Sequence, residues 1–481
     1  MRNISVLFIG ILLIVQFAVS AQPLPGKPLA SSDTLKYYYE GELKLNKQNS
    51  LRISFLFKVL NDSVIDVCAD SPDQFAFDIP VSRYYLTSDS LYCQIASVAA
   101  SFSGNVVGDH FEGVFKQSGK KWNTTLFNKS ERKVLIDLRP QIPQPPYKYA
   151  EKELEIEDKS GKAAPIIGTL TTPKNPKALL ILVSGSGWQN RDEYIMGHSP
   201  FWVLSDFLSN AGYAVFRYDD RPMQLFKKST TFDFVEDVDR IIAHFKHDNA
   251  LKNVPVGVVG HSEGGLIAFM MAAKKRKVDF IISLAGCSEH ISQVLLYQSE
   301  ALLKLDTTIT EEMRTASMNL NKKIYKALED SKSADKFTKF YVAEIERYNE
   351  MMKENSEEEN ILSQSEILSQ LSALNSPWFR TLFSIYPEKY IRKINVPVLA
   401  MNGTKDLQVY YKTNLDILQK YLPENKYHKL ISLNNLNHLF QEADTGSPYE
   451  YGKISQTFSP LAMNEILLWL NDLIENINKR K

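Results

Sequence analysis

The chain has 481 residues, more than one hydrophobic core accommodates, so two or three domains are expected. Lys and Arg together number 56 and Asp and Glu together number 56, and this zero formal charge argues against nucleic acid or an anionic membrane surface as the main partner. Three cysteines are too few for a disulfide scaffold, although Cys68 and Cys93 are able to pair in an oxidising compartment, and no C-x-x-C spacing offers a metal site.

Met1-Arg2-Asn3, an apolar run from Ile4 to Val19 and then Ser20-Ala21-Gln22 follow the positive, apolar and small-residue order of an export signal. Removal of residues 1–21 is expected, giving an exported, periplasmic or secreted product with no membrane span in the mature chain. An uncleaved anchor is the alternative, but the apolar run is shorter than a full span.

Residues 22–139 read as a small all-β domain, a sandwich or a barrel. Tyr37–Leu45, Leu51–Phe57, Ser63–Val67, Ser90–Ile95 and Phe111–Phe115 alternate apolar and polar residues, punctuated by Asn61-Asp62, Ser88-Asp89, Gly108-Asp109 and Ser118-Gly119. No acid pair, metal cluster or aromatic platform in this module specifies chemistry. A packing module is the plainest expectation, with a glycan-binding module or a wall beside a site as alternatives. Arg139-Pro-Gln-Ile-Pro-Gln-Pro-Pro146 predicts a stiff extended linker, placed at 140–150.

From 151 to 481 strands and helices alternate, which predicts an α/β doubly wound, mostly parallel sheet. Strands are expected at Glu153–Ile156, Ile166–Leu170, Ala178–Val183, Tyr213–Arg217, Phe280–Ala285, Val396–Asn402 and Tyr427–Leu433, and the last helix at Leu461–Ile477. Thr230-x-x-Asp233 resembles a capping box opening a helix whose apolar positions Phe234, Val238, Ile241, Ile242 and Phe245 recur at helical spacing. About 287–389 the alternation stops, and a helical insert there would lie over the carboxyl edge of the sheet as a lid.

Chemistry concentrates at Val254–Gly265, where an apolar strand runs into Gly260-His-Ser262-Glu-Gly264-Gly265 and then the helical run Leu266–Ala273. A serine on so tight a strand-to-helix turn needs small neighbours and leaves its hydroxyl exposed at the strand end. To act as a nucleophile Ser262 requires a base and a group that fixes the base's tautomer, in the chain order serine, acid, histidine. His438, in the loop after the last strand, suits the base; His428 sits inside a strand. Asp406, just after a buried strand and Gly403, suits the acid, with Asp416 and Asp444 as alternatives. Two backbone N–H groups must face the developing charge. Glu263 supplies one, and Ser184-Gly-Ser186-Gly187 after the Ala178–Val183 strand supplies the other, with Ser186 the expected donor. The loop lacks the Lys-Ser/Thr ending and glycine spacing of a phosphate cradle.

Ser184–Glu193, Arg217-Tyr-Asp-Asp-Arg221, Gly260–Gly265, Gly403-Thr-Lys-Asp406 and Asn437-His-Leu-Phe-Gln441 together resemble exported bacterial α/β-hydrolases of the serine esterase and serine aminopeptidase-like type, over roughly Gly168–Ile477. The resemblance implies carboxylic-ester hydrolysis on a small-molecule ester or an acylated glycan, no cofactor and no metal, and a catalytic triad at Ser262, Asp406 and His438. Trp188 and Asn190 depart from the S-G-S-G-P-x-D-R-D pattern of such proteins, and Pro222 from D-R-G, so Trp188 is expected to touch substrate and narrow the acyl pocket. Aminoacyl amide hydrolysis on the same fold is one alternative, and an inert glycan-binding protein another.

Overall fold

The computed structural model describes residues 35–44, 50–60, 63–74, 76–98, 100–117, 120–129, 139–158, 163–274, 278–306, 309–331, 333–354 and 361–479. The expected leader at 1–21, two of the turn signals (61–62 and 118–119) and most of the acidic run at 354–360 lie outside the described residues.

The first module is one antiparallel sheet of β1 (Leu35–Lys44), β2 (Ser50–Leu60), β3 (Ser63–Ser71), β4 (Ala76–Pro80), β5 (Arg83–Leu86), β6 (Ser90–Ile95), β7 (Ala100–Val107), β8 (His110–Gln117) and β9 (Lys120–Lys129), in the order β4-β3-β2-β1-β9-β8-β7-β6-β5. β4 and β5 form opposite edges, yet only Val81 and Ser82 join them. Val81 N–H donates to Val67 of β3 at 3.2 Å and Ser82 N–H to Gln94 of β6 at 2.8 Å, so the edges meet at this corner. The sheet therefore curls into a half-barrel around Phe55, Phe57, Leu91, Phe102 and Leu126, and the sandwich alternative does not form. Period-two alternation marked five of these strands. β4 and β5 are too short to alternate visibly, β7 is diluted by Ser, Gly and Asn, and β9 is flanked by Lys. Cys68 and Cys93 are both buried and unbridged. Cys93 belongs to the barrel interior, whereas Cys68 packs with Tyr38 and Leu56 in a separate cluster, so the pairing open to them by sequence is not made.

The segment after this module is not a free spacer. Arg139 donates through its guanidinium to the carbonyls of Met196, Gly452 and Ile454, and Gln141 accepts from the N–H groups of Thr457 and Phe458. Tyr149 donates to Asp206 at 2.8 Å. Its polar side chains, which composition does not aim, tie this segment down.

The second sheet contains β10 (Ala150–Ile156), β11 (Ile166–Thr172), β12 (Leu179–Val183), β13 (Ala214–Tyr218), β14 (Val256–His261), β15 (Phe280–Leu284), β16 (Val398–Gly403) and β17 (Lys429–Leu433), in the order β10-β11-β13-β12-β14-β15-β16-β17. β10 and β11 run antiparallel, and the remaining six are parallel to one another. From β12 the chain steps to β13 on one side and then crosses to β14 on the other. The carboxyl ends of β12 and β14 thus flank a switch point, where loops diverge and leave a crevice. Continuous apolar strands such as β12 are possible because helices cover both faces. On one face pack α2 (Thr231–Phe245) and α3 (Glu263–Ala272), through Val238, Ile241, Ile242, Leu266 and Phe269. On the other pack α1 (Pro200–Asn210) and α10 (Pro460–Asn478), through Leu204, Leu208, Ile466 and Leu470. The expected capping box forms: the Thr230 side chain accepts from Asp233 N–H while Asp233 accepts from Thr230 N–H.

Between β15 and β16 the chain forms α4 (Ile291–Leu305), α5 (Glu311–Asp330), α6 (Ala334–Glu354), α7 (Gln364–Leu374) and α8 (Pro377–Ser384). These helices bury Ile324, Tyr341, Ile345, Phe379 and Phe383 in a cluster of their own, which makes the insert a packed body. After β16 comes α9 (Tyr411–Tyr421). Among the described residues no helix is long and apolar enough to cross a membrane.

Candidate active site

Ser262 lies between β14 and α3 at φ 53° and ψ −116°, a left-handed conformation unusual for a residue with a Cβ. Such backbone costs on the order of 1–3 kcal/mol and persists where surroundings enforce it. Here they do. Ser262 N–H donates to Leu284 of β15 at 2.9 Å, and Gly265 N–H returns to Ser262 carbonyl at 3.0 Å. A Cβ at Gly260 would stand 1.9 Å from the Gly264 carbonyl oxygen, and one at Gly264 would stand 2.1 Å from that of Val183. The turn closes only because both positions lack side chains.

β16 ends at Gly403, and the next turn carries Asp406, which is fully buried. Its Oδ1 accepts from the N–H groups of Gln408 and Val409, each at 2.8 Å, and its Oδ2 faces His438 Nδ1 at 2.8 Å. The carboxylate is therefore aimed by main chain on one side and spends its other oxygen on the imidazole. His438 sits after β17 in a loop held by Asn437, whose Oδ1 accepts from Leu439 and Gln441 N–H groups. His428 is elsewhere occupied: Nδ1 accepts from Val398 N–H, and Nε2 faces the Pro423 carbonyl. Asp416 pairs with Lys412 at the surface, and Asp444 is exposed. Of the alternatives weighed from sequence, Asp406 and His438 are the ones brought together, at the same sheet edge as Ser262.

The loop after β12 reaches this edge. A Cβ on Gly185 would lie 3.1 Å from the Ser262 Cβ, so its main chain passes directly beside the serine. Two motifs noticed separately in the sequence hold one another. Gln189 N–H donates to Asp220 and Arg191 N–H to Asp219; the Arg191 guanidinium also pairs with Asp219 at 2.6 Å, and Arg217 pairs with Asp192. Burial pushes the Asp220 carboxyl well above its usual range. Trp188 donates from Nε1 to the Arg221 carbonyl at 3.1 Å, so its polar edge is engaged within this clasp. A narrow cleft opens beside Ser186. That cleft is walled by Leu266, Ile291, Leu382 and Ile385 and carries two carboxylates, Glu263 and Glu289.

Glu263 follows the serine on α3 and is buried. Its carboxylate accepts from Thr231 at 2.8 Å and from Trp378 Nε1 of α8 at 3.0 Å. Burial raises its carboxyl above the usual range, although these donors and the Ser186 hydroxyl oppose that. Burial likewise raises Glu289, whose carboxylate accepts from Thr413 at 3.0 Å. The insert touches the acid loop too, where Tyr297 of α4 donates to the Asp406 carbonyl at 3.2 Å.

Glu193 and His261 carry contacts that local sequence does not disclose. Glu193 Oε1 accepts from Gly185 N–H at 2.7 Å and faces His261 Nδ1 at 2.9 Å. His261 Nε2 faces the His438 carbonyl at 2.9 Å. The available signal was weak: a histidine next to the serine, and an acid at the end of the Ser184–Glu193 motif.

Residues 194–444 match the family model described as the alpha/beta hydrolase fold. The chain belongs to the α/β-hydrolase family. This α/β hydrolase is 23% identical over 354 residues to Esterase EstD of Thermotoga maritima, an alignment covering 72% of this chain and 73% of that one. Similar solved structures include Est1E from Butyrivibrio proteoclasticus, with 15% identity, a TM-score of 0.39 and coverage of 67% of this chain and 99% of that one. A dienelactone hydrolase from Anabaena variabilis has 12% identity and a TM-score of 0.39, with coverage of 68% and 99%.

Proposed function

We propose that this α/β hydrolase is an exported carboxylesterase in which Ser262, His438 and Asp406 form a catalytic triad. The observation that carries the proposal is the buried Asp406–His438 contact at 2.8 Å, set at the same sheet edge as a serine in a left-handed turn. The esterase name borne by the Thermotoga relative supports the choice of ester.

In this mechanism Ser262 Oγ attacks the ester carbonyl carbon and its proton passes to His438 Nε2. The Asp406 carboxylate keeps Nδ1–H bonded and stabilises the imidazolium. The carbonyl electron pair moves onto oxygen, where the N–H groups of Glu263 and Ser186 receive it. Collapse of the tetrahedral adduct breaks the bond to the alcohol, which leaves with the proton from Nε2. Water then attacks the acyl-serine by the same route, giving the carboxylic acid and free Ser262.

The Ser262→Ala variant is expected to lose at least about a thousandfold in kcat on a short-chain ester. Near-wild-type turnover by that variant would remove the proposal. Fractionation of the producing cell and sequencing of the product's first residue test export, with Gln22 expected.

Aminoacyl amide hydrolysis has one specific observation in its favour. Glu263 and Glu289 stand in an otherwise apolar cleft beside Ser186, and no Lys or Arg is among the described residues that wall it. A substrate ammonium group would complement them. Faster turnover of aminoacyl amides than of the matching acyl esters would select this second activity.

A further inference from the structure

His261 lies between two groups that accept hydrogen bonds. On one side is the Glu193 carboxylate, 2.9 Å from Nδ1, and on the other the His438 main-chain carbonyl, 2.9 Å from Nε2. A carbonyl oxygen has no proton to give, so Nε2 must carry one. A neutral imidazole then has only a lone pair at Nδ1, pointed at a carboxylate. Moving the single proton to Nδ1 restores that contact and breaks the one to His438. Only the imidazolium, or one proton shared along the Nδ1–Glu193 line, satisfies both ends.

The partners make this contact consequential. The same Glu193 oxygen accepts from Gly185 N–H at 2.7 Å, and Gly185 is the residue whose main chain passes beside Ser262. Glu193 itself adopts φ 51°, a left-handed conformation that these bonds hold in place. One chain of contacts therefore runs from the oxyanion loop through Glu193 and His261 to the backbone of the loop that carries the base.

We propose that His261, as an imidazolium paired with Glu193, is a positioning residue that fixes the main chain at His438 relative to the Gly185–Ser186 peptide. It rests on the triad assignment above and extends it to two residues outside the triad. The groups facing His261 agree with a retained proton. Burial disfavours the cation, but Glu193, the His438 carbonyl and the nearby Asp406 charge outweigh it and raise the imidazole above its ordinary range. The His438 ring lies 4.7 Å away centre to centre and the Phe440 ring 6.5 Å away.

The test joins a spectrum to kinetics. In ¹⁵N-labelled protein at about pH 8, where an ordinary histidine is neutral, both His261 nitrogens should appear protonated, with the assignment made by difference against His261→Gln. Glu193→Gln keeps an acceptor for Gly185 but removes the charge, so His261 should become neutral in that variant. Its kcat should fall about ten- to a hundredfold on an ester, with KM within about twofold, because the loss is in geometry of the reacting groups and not in substrate contact. A neutral His261 in the wild-type protein at pH 8, or a Glu193→Gln variant with wild-type kcat, overturns the proposal. The spectrum requires no turnover. Wild-type activity in Ser262→Ala would therefore defeat the triad while leaving the His261–Glu193 pair separately measurable, and should His261→Gln fail to fold, Glu193→Gln serves for the assignment.

Discussion

Replacing Asp406 by Asn changes one atom, and the surroundings dictate which way the new amide points. Oδ1 accepts two main-chain N–H groups, from Gln408 and Val409, at 2.8 Å each. An NH2 group turned toward them would oppose donor to donor twice in a fully buried place. The Asn amide nitrogen must instead occupy the position of Oδ2, 2.8 Å from His438 Nδ1. There it donates, so Nδ1 becomes the acceptor and the single ring proton moves to Nε2, the atom that should take the proton from Ser262. The base is then in the wrong tautomer with its position unchanged. Loss of about ten-thousandfold in kcat is expected, about 5.5 kcal/mol in activation free energy. The folded state should barely notice, since every hydrogen bond has a replacement. Stopped-flow release of a chromogenic alcohol from a short acyl ester measures kcat, and thermal unfolding followed by fluorescence checks the fold. A variant that keeps more than a tenth of wild-type kcat would refute the roles given to both residues. A variant that is inactive but melts far below wild type would refute the hydrogen-bond reasoning.

Gly264→Ala should be poorly tolerated, because its Cβ would stand 2.1 Å from one backbone oxygen and 2.7 Å from another, in β12 and its following loop. About 3 kcal/mol of stability or more, and most of the activity, should go together, and a variant with wild-type melting temperature and kcat would contradict the packing at the turn. His198 is buried between Thr457 and the Tyr451 carbonyl, and burial, assisted by Arg139, lowers its pKa to about 4. The native state thus holds it neutral, so its contribution is present above the unfolded value near 6.5 and is lost as pH falls toward 4, by about 3 kcal/mol. Urea midpoints of wild type and His198→Gln should converge over that interval, and parallel pH curves would exclude it. Trp378→Phe removes the indole donor from buried Glu263 while keeping a ring beside Phe379. Loosening of the insert by about 1 kcal/mol is expected, seen as a roughly fivefold faster limited proteolysis within residues 287–389; unchanged cleavage would show that this contact does not hold the insert.

The stretches most legible in sequence are those whose constraint is local. Gly260, Gly264 and Gly265 announce a strand-to-helix turn because the atoms that forbid a Cβ at 260 belong to the turn itself. Thr230 and Asp233 announce a helix start because both halves of the capping box lie three residues apart. Asp406 and His438 were accessible through chain order and through their places just after predicted strands. The half-barrel was less visible, since β7 and β9 take their strand conformation from neighbours on either side and not from alternation of their own. The linker's prolines were readable, and the docking of Arg139 onto carbonyls more than 300 residues away was not.

Residue identity and order by themselves determined that a serine would stand on a strained turn at the edge of an α/β sheet, with an acid and a histidine following in sequence and a helical insert above. Tertiary structure alone decided which partners those residues meet. Trp188 donates to the Arg221 carbonyl, 33 residues away; Glu193 spans 68 residues to reach His261, and His261 spans 177 to reach the His438 carbonyl. Spacing along a chain carries information about contacts within one turn of a helix or one pleat of a strand. Contacts between loops gathered at one sheet edge depend on the order and register in which the strands assemble, and that is written in their packing.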